Sequence, residues 1–247
     1  FESKRAHHIP FGIHIKNFNQ FDVVTSTFEV EAIIWFYYNH SFVTLDQLKK
    51  FSILRGELIH LSEPLVKKYK DGMVAQFDAR FRFDTHLDFH RFPIDDHFIT
   101  FGMTNYYLPS DVSFTSSESF VTFENDLYIP GWLLRDYKVQ AGLINYLLSS
   151  LDPDFKVEHP EVVVTLSCQR TNPSLLINFL LTLLIILFTS LFTFSSKEDA
   201  VLIVSVTIVA LVGYSSVMQS FSPKRVDYFM LSDYLYLITL VSVITTL

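Results

Sequence analysis

The stretch LLINFLLTLLIILFTSLFTF, residues 175–194, carries no charged side chain. A helix of this length spans the ~30 Å hydrocarbon core of a bilayer. Two more apolar runs follow at 200–222 and 228–247, and Asp233 is the one charged residue within them. Three such runs in succession predict transmembrane helices over about 175–194, 199–221 and 228–247 rather than buried helices of a soluble protein.

The second run differs from the first in its many small and hydroxyl side chains. Spacings of three and four place six of its residues on one stripe of a helix: Leu202, Val206, Val209, Gly213, Ser216 and Ser220. The stripe is apolar near Glu198 and small or polar at its other end. Such a stripe is typical of a helix that lines water, and equally of close packing between helices.

Residues 1–172 have the opposite character and carry nearly all of the charge. Apolar and polar residues alternate along several segments, which indicates strands with one buried face. The strands are predicted at 28–36, 77–83, 98–107, 119–124 and 162–170, with one helical stretch at 45–51. Many short strands predict a β-sandwich over 1–172, followed by a helical membrane domain over 173–247.

Composition and motifs exclude several classes of protein. The net charge of −7 argues against binding to nucleic acid. Cys168 is the one cysteine, so no disulfide forms within the chain. The sequence contains no nucleophile elbow, zinc-binding helix motif or phosphate-binding glycine loop. We therefore expect neither an enzyme nor a bound cofactor.

The segment Phe92-Pro93-Ile94-Asp95 resembles the Phe-Pro-x-Asp loop of pentameric ligand-gated channels, the Cys-loop receptor superfamily. The flanking cysteines of that loop are absent, as in the prokaryotic branch. Further resemblances follow in family order along the whole chain: 13–30 to the first two strands and their loop, 131–134 to the start of the ninth strand, Arg170 and Pro173 to the residues before the first membrane helix, and 198–234 to the pore helix, its linker and the third helix.

This resemblance implies a homopentameric, ligand-gated channel in a bacterial inner membrane, in contact with lipid, with an immunoglobulin-like sandwich in the periplasm. The stripe from Leu202 to Ser220 would line the pore, and its apolar part would close it by expelling water. A ring of Glu198 carboxylates would favour cations, although Glu198 is equally placed to cap the helix. The family has a fourth membrane helix, and we expect one beyond the sequence given.

The resemblance also assigns residues that couple the sandwich to the pore. A partly buried charge requires a partner, so we expect Asp95 and Arg170 to form an ion pair. The other coupling candidates are Asp22, Phe92, Pro93 and Pro223.

A ligand site between neighbouring sandwiches is implied as well. One subunit would contribute Asn105, Tyr106, Tyr107, Asp152 and Phe155, and the next Trp35, Tyr37 and Tyr38. Aromatic walls suit cationic amines, but aromatic residues are 16% of the chain, so packing explains them equally well. The agonist is not named by the sequence.

Histidines suggest a second kind of site. His86, Asp88 and His90 alternate along one predicted strand face, with His97 across the loop. Such a set binds a divalent metal or titrates near neutral pH, and Ca²⁺ or protons are the candidate modulators. Solvated surface histidines are the simpler interpretation. For the chain as a whole, the alternative to a channel is a sandwich sensor on a non-conducting helical anchor.

Overall fold

The computed structural model of the chain describes residues 7–108, 112–147, 156–171, 173–194, 198–221 and 226–245. It divides into a β-rich part and a group of apolar helices that follows it. The strands are β1 His7–Asp22, β2 Thr27–Tyr38, β3 Phe51–Leu54, β4 Gly56–Leu61, β5 Leu65–Tyr69, β6 Gly72–Asp84, β7 Asp96–Asn105, β8 Val112–Thr115, β9 Val121–Phe123, β10 Trp132–Leu147 and β11 Lys156–Arg170.

Two sheets form a sandwich-like arrangement. The larger sheet has seven strands in the order β4-β6-β2-β1-β8, with β5 paired to β6 and β9 paired to β1. The smaller sheet has four strands in the order β10-β11-β7-β3. The predicted sandwich is therefore confirmed at the level of its sheets.

Phenylalanine fills the space between the sheets because the strands alternate as predicted. Along β2, the side chains of Phe28, Val30, Ala32, Ile34 and Phe36 are all buried. Phe36 packs against rings from four other segments, with centroids 5.5 to 6.1 Å away. Burying an aromatic side chain contributes a few kcal/mol, so this cluster dominates the core.

The structure corrects two local predictions of secondary structure. The helix predicted at 45–51 is a single turn, α1, at Leu45–Leu48. It ends early because Phe51 pairs with Asn105 at the start of β3. The strand predicted at 119–124 is reduced to β9, since Glu118–Phe120 forms a 3₁₀ turn.

Three apolar helices follow the sandwich: α2 at Pro173–Leu191, α3 at Ala200–Phe221 and α4 at Leu231–Thr245. A short 3₁₀ turn, Phe192–Phe194, continues α2. Two segments, Leu176–Phe194 and Ala200–Gln219, are long and apolar enough to cross a membrane. α4 is apolar but shorter, with 15 residues.

The start of α4 differs from the sequence prediction. The helix was expected from residue 228, but it begins at Leu231. The Asp233 carboxylate accepts a hydrogen bond from the Met230 amide at 2.8 Å, which caps the helix there. Tyr228 is used instead in a contact with the sandwich, described below.

The three helices pack against one another through a small core. Its buried members are Phe179, Leu183 and Ile186 on α2, Val204 and Leu211 on α3, and Val243 on α4. Most other apolar side chains of the helices remain exposed in the single chain. The helices therefore cover each other on one side only.

Candidate functional site

A buried carboxylate lies where the sandwich meets the helices. Asp95 is 1% exposed, and its Oδ1 is 2.9 Å from Nε of Arg170. A second contact joins Arg170 Nη2 to Asp95 Oδ2 at 3.4 Å. The predicted ion pair is thus present, with the forked geometry that gives arginine–carboxylate pairs their specificity.

His97 completes this cluster, and the sequence did not place it here. Its Nε2 is 2.7 Å from Asp95 Oδ2. This is a close contact rather than an aligned hydrogen bond, because neither ring nitrogen of His97 has a hydrogen-bond partner among the described residues. The strand alternation turns His97 inward while Asp96 and Phe98 point outward, and that pattern was the signal available in the sequence.

Two opposing effects act on Asp95. Burial by itself would raise the pKa of the Asp95 carboxyl, but the contacts with His97 and Arg170 lower the pKa below its ordinary value of 3.8. The carboxylate is therefore held ionised, as expected for a buried charge with two basic neighbours.

Aromatic rings enclose the Arg170 side chain. The guanidinium carbon is 4.4 Å from the ring centre of Trp132 and 5.8 Å from that of Phe92. Trp132 is brought there by strand pairing, since it is the register partner of Arg170 at the start of β10. Cation–π attraction strengthens as water is removed, so these rings fix the arginine over Asp95.

The loop between β6 and β7 provides the first amides of α4 with acceptors. Leu231 N–H donates to the His90 carbonyl at 2.9 Å, and Ser232 N–H donates to the Phe92 carbonyl at 3.2 Å. The first amides of a helix have no partner within the helix. The loop that carries Asp95 therefore caps α4 directly.

Tyr228 forms a second connection between the two parts. Its hydroxyl accepts a hydrogen bond from Phe89 N–H at 2.9 Å, and its ring stacks on His90 with centroids 3.9 Å apart. Met230, two residues later, is buried within the sandwich core. The sandwich core thus extends onto the segment that leads into α4.

The remaining coupling candidates differ in their surroundings. The Asp22 carboxylate accepts a hydrogen bond from Thr25 N–H at 3.2 Å, which stabilises the turn between β1 and β2. Phe92 and Pro93 are buried beside the Asp95 cluster. Pro223 lies outside the described residues.

The predicted stripe lies on the uncovered side of α3. Leu202, Val206 and Val209 are exposed, Val209 by 71%, whereas Val204, Thr207 and Leu211 are buried on the opposite side. Gly213, Ser216 and the preceding Glu198 are exposed too. The side chain of Ser220 lies outside the described set.

The ligand candidates separate into exposed and buried groups. Tyr106 and Tyr107 are exposed at the end of β7, and Trp35 and Tyr37 are half-buried on the outer face of the larger sheet. Trp35 and Tyr37 belong to β2 of the larger sheet, whereas Tyr106 and Tyr107 follow β7 of the smaller sheet. Asp152 and Phe155 lie outside the described residues.

Tyr38 and Asn105 are part of the fold rather than of an exposed wall. Tyr38 points into the core, and burial raises the pKa of its hydroxyl. Asn105 is fully buried and donates to the Gln47 carbonyl at 2.8 Å. Both side chains are buried within the single chain.

The histidine candidates do not form a metal centre. Asp88 and His90 are in contact at 2.5 Å, and hydrogen bonds from the His90 backbone and ring lower the pKa of Asp88. His97 is buried, whereas Asp88 and His90 are exposed. Within the described ranges, no group of three His, Cys, Asp or Glu residues is arranged to hold a metal ion.

Comparison with known proteins adds no further assignment. No protein-family model matches the chain, and no curated protein matches it at a significant level.

Proposed function

We propose that the chain is a subunit of a homopentameric, cation-selective, ligand-gated ion channel, with an immunoglobulin-like sandwich outside the membrane and α3 around the pore. The two sides of α3 carry this proposal. One side packs on α2 and α4, and the other presents exposed Leu202, Val206 and Val209. A membrane helix with such an uncovered stripe needs lipid, a neighbouring subunit or pore water beside it.

Five copies around an axis would place that stripe on a central lumen. Valine and leucine rings would form a constriction too apolar for a hydrated ion, and widening it would restore conduction. Glu198 lies two residues before the first residue of α3, Ala200. At ~4 Å and an effective dielectric of 20, one carboxylate attracts a cation by about 4 kcal/mol, so a ring of five favours cations even after strong screening.

The junction supports a coupling role. Movement of the loop between β6 and β7 would be carried to α4 through the Leu231 and Ser232 amides, and to β11 through the pair of Asp95 with Arg170. We expect Arg170→Ala to be less stable but still to assemble, and to lose agonist- or proton-driven currents. Normal currents in that variant would contradict the coupling role.

Stoichiometry and conduction test the proposal together. Native mass spectrometry of purified protein is expected to give pentamers, and bilayer recordings to give cation currents. Dimers without current would instead favour a sandwich sensor on a non-conducting anchor.

Selectivity is tested by a matched pair of substitutions. Glu198→Gln is expected to shift the reversal potential under a salt gradient toward that of a non-selective pore. Glu63→Gln, an exposed glutamate on the sandwich, serves as the control and is expected to leave the potential unchanged. An unchanged potential in Glu198→Gln would remove Glu198 from the selectivity mechanism.

A further inference from the structure

A cavity of about 420 Å³ lies between the sandwich and the segment before α4. Three stretches form its wall: Val24–Thr27 between β1 and β2, Asp84–Phe89 without Asp88 after β6, and Val226–Tyr228. Its volume is within the range of small-molecule sites, which are typically ~300–1,000 Å³. The cavity is separate from the stripe of α3 and from the aromatic residues considered for the agonist.

The described residues of the wall carry negative charge. Asp84 and Asp227 both line the cavity, and no Lys or Arg is found among the described residues of its wall. Asp84 accepts a hydrogen bond from the Thr27 hydroxyl at 3.0 Å. Within the described part of the chain, neither carboxylate has a cationic side chain within ion-pair distance. His86, which also lines the cavity, is exposed.

Neutral groups of the wall complement these carboxylates. Thr25, Ser26 and Thr85 add hydroxyl groups. Phe89 and Tyr228 add aromatic rings, and the Tyr228 hydroxyl is already used as an acceptor for the Phe89 amide. Carboxylate and hydroxyl oxygens together recognise a flat cation that donates several hydrogen bonds.

We propose that this cavity binds a small organic cation with several N–H donors, of the guanidinium type. The described residues contain no three-ligand cluster for a metal ion, and the volume exceeds that of a bare ion. A cation bound here would contact the turn between β1 and β2, the end of β6 and the segment before α4 together. It would therefore stabilise one arrangement of the sandwich relative to the helices.

A single cysteine placed in the wall measures the charge of the cavity. Native Cys168 is fully buried, and burial raises the pKa of its thiol to about 12, so it does not react with thiol reagents in the folded protein. Thr25→Cys is exposed in the wall, and Ser41→Cys, exposed on the sandwich, is the matched control. Both are labelled with methanethiosulfonate reagents of opposite charge.

We expect the cationic reagent to be favoured over the anionic one about tenfold more at Thr25→Cys than at Ser41→Cys, as focused potentials permit. Adding Asp84→Asn and Asp227→Asn should abolish that preference. Asparagine keeps the shape of aspartate and the acceptor for Thr27, so the fold is retained. Equal preference at the two cysteines, or a preference that survives both substitutions, would overturn the proposal.

Protection by a probe then tests the ligand class. Methylguanidinium is expected to slow labelling of Thr25→Cys by a neutral reagent in a saturable way, by about twofold when its concentration equals the dissociation constant. Tetramethylammonium, which has the same charge but no N–H donor, should give no protection. Equal protection by both, or none by methylguanidinium, would contradict the assignment. These measurements need no current, so their failure would leave the channel proposal untouched.

Discussion

The sandwich and the helices differ in the side chains that they expose. On the outer face of the larger sheet, charges pair between strands: Arg80 with Glu31 and Arg82 with Glu29 and Glu57 on neighbouring strands, and Lys16 with Asp78 across β2. The helices instead leave long apolar faces exposed. The outer face of the larger sheet is therefore suited to contact with water, whereas the exposed faces of the helices favour an apolar environment.

The largest effect on stability is expected at the junction of the sandwich and the helices, around Asp95. Asp95→Ala removes the buried partner of Arg170 and leaves the guanidinium charge uncompensated. We expect a loss of about 3–5 kcal/mol in the free energy of unfolding of the sandwich, measured by urea titration of the purified protein.

The control for that substitution is Asp78→Ala, which removes an exposed ion pair with Lys16 on the same sandwich. It is expected to cost ~0–1 kcal/mol. Equal losses of unfolding free energy in the two variants would show that the buried cluster at Asp95 stabilises the sandwich no more than an exposed ion pair does.

The two sides of α3 give a second comparison. Leu211→Ala removes a fully buried side chain between the helices, and we expect it to cost about 2–5 kcal/mol and to lower the melting temperature of the protein in detergent. Leu202→Ala makes the same chemical change on the exposed stripe and should leave the melting temperature nearly unchanged. A larger effect at Leu202 would place that side in a packed interface.

A smaller effect is expected on the outer face of the larger sheet. The indole of Trp35 lies directly over Gly12, where any Cβ would collide with the ring. Gly12→Ala must displace Trp35 and its edge contact with Phe120, at a cost of about 1–3 kcal/mol. Trp35→Phe should rescue Gly12→Ala in urea titrations; no rescue would assign the cost to the backbone.

The smallest effect should come from acid. The folded-state pKa of Asp95 is lowered below 3.8, so its stabilising contribution is complete above pH 3.8 and is lost as the pH falls through the lower pKa. Stability should decline in this acidic range more steeply in the wild type than in Asp95→Asn. Parallel declines would assign acid sensitivity to other carboxylates.

Period-two alternation predicted the strands because it depends on local burial, and Phe28 to Phe36 followed it throughout. The start of α4 could not be predicted in this way, because Tyr228 was drawn from the expected helix by stacking on His90, far away in sequence. His97 was likewise assigned to the surface histidines, since the sequence shows residue type but not which loop covers it. The pair of Asp95 with Arg170 was expected because the family resemblance placed both residues at the junction, where a partly buried charge requires a partner.

The hydrogen bonds of the Leu231 and Ser232 amides determine how these amides exchange with solvent. Because their acceptors are carbonyls of another loop, these two protons exchange with solvent only when that loop departs. The rate of deuterium uptake at the beginning of α4 therefore reports how often the two parts of the molecule separate. Mass spectrometry measures this rate without attaching a probe to the protein.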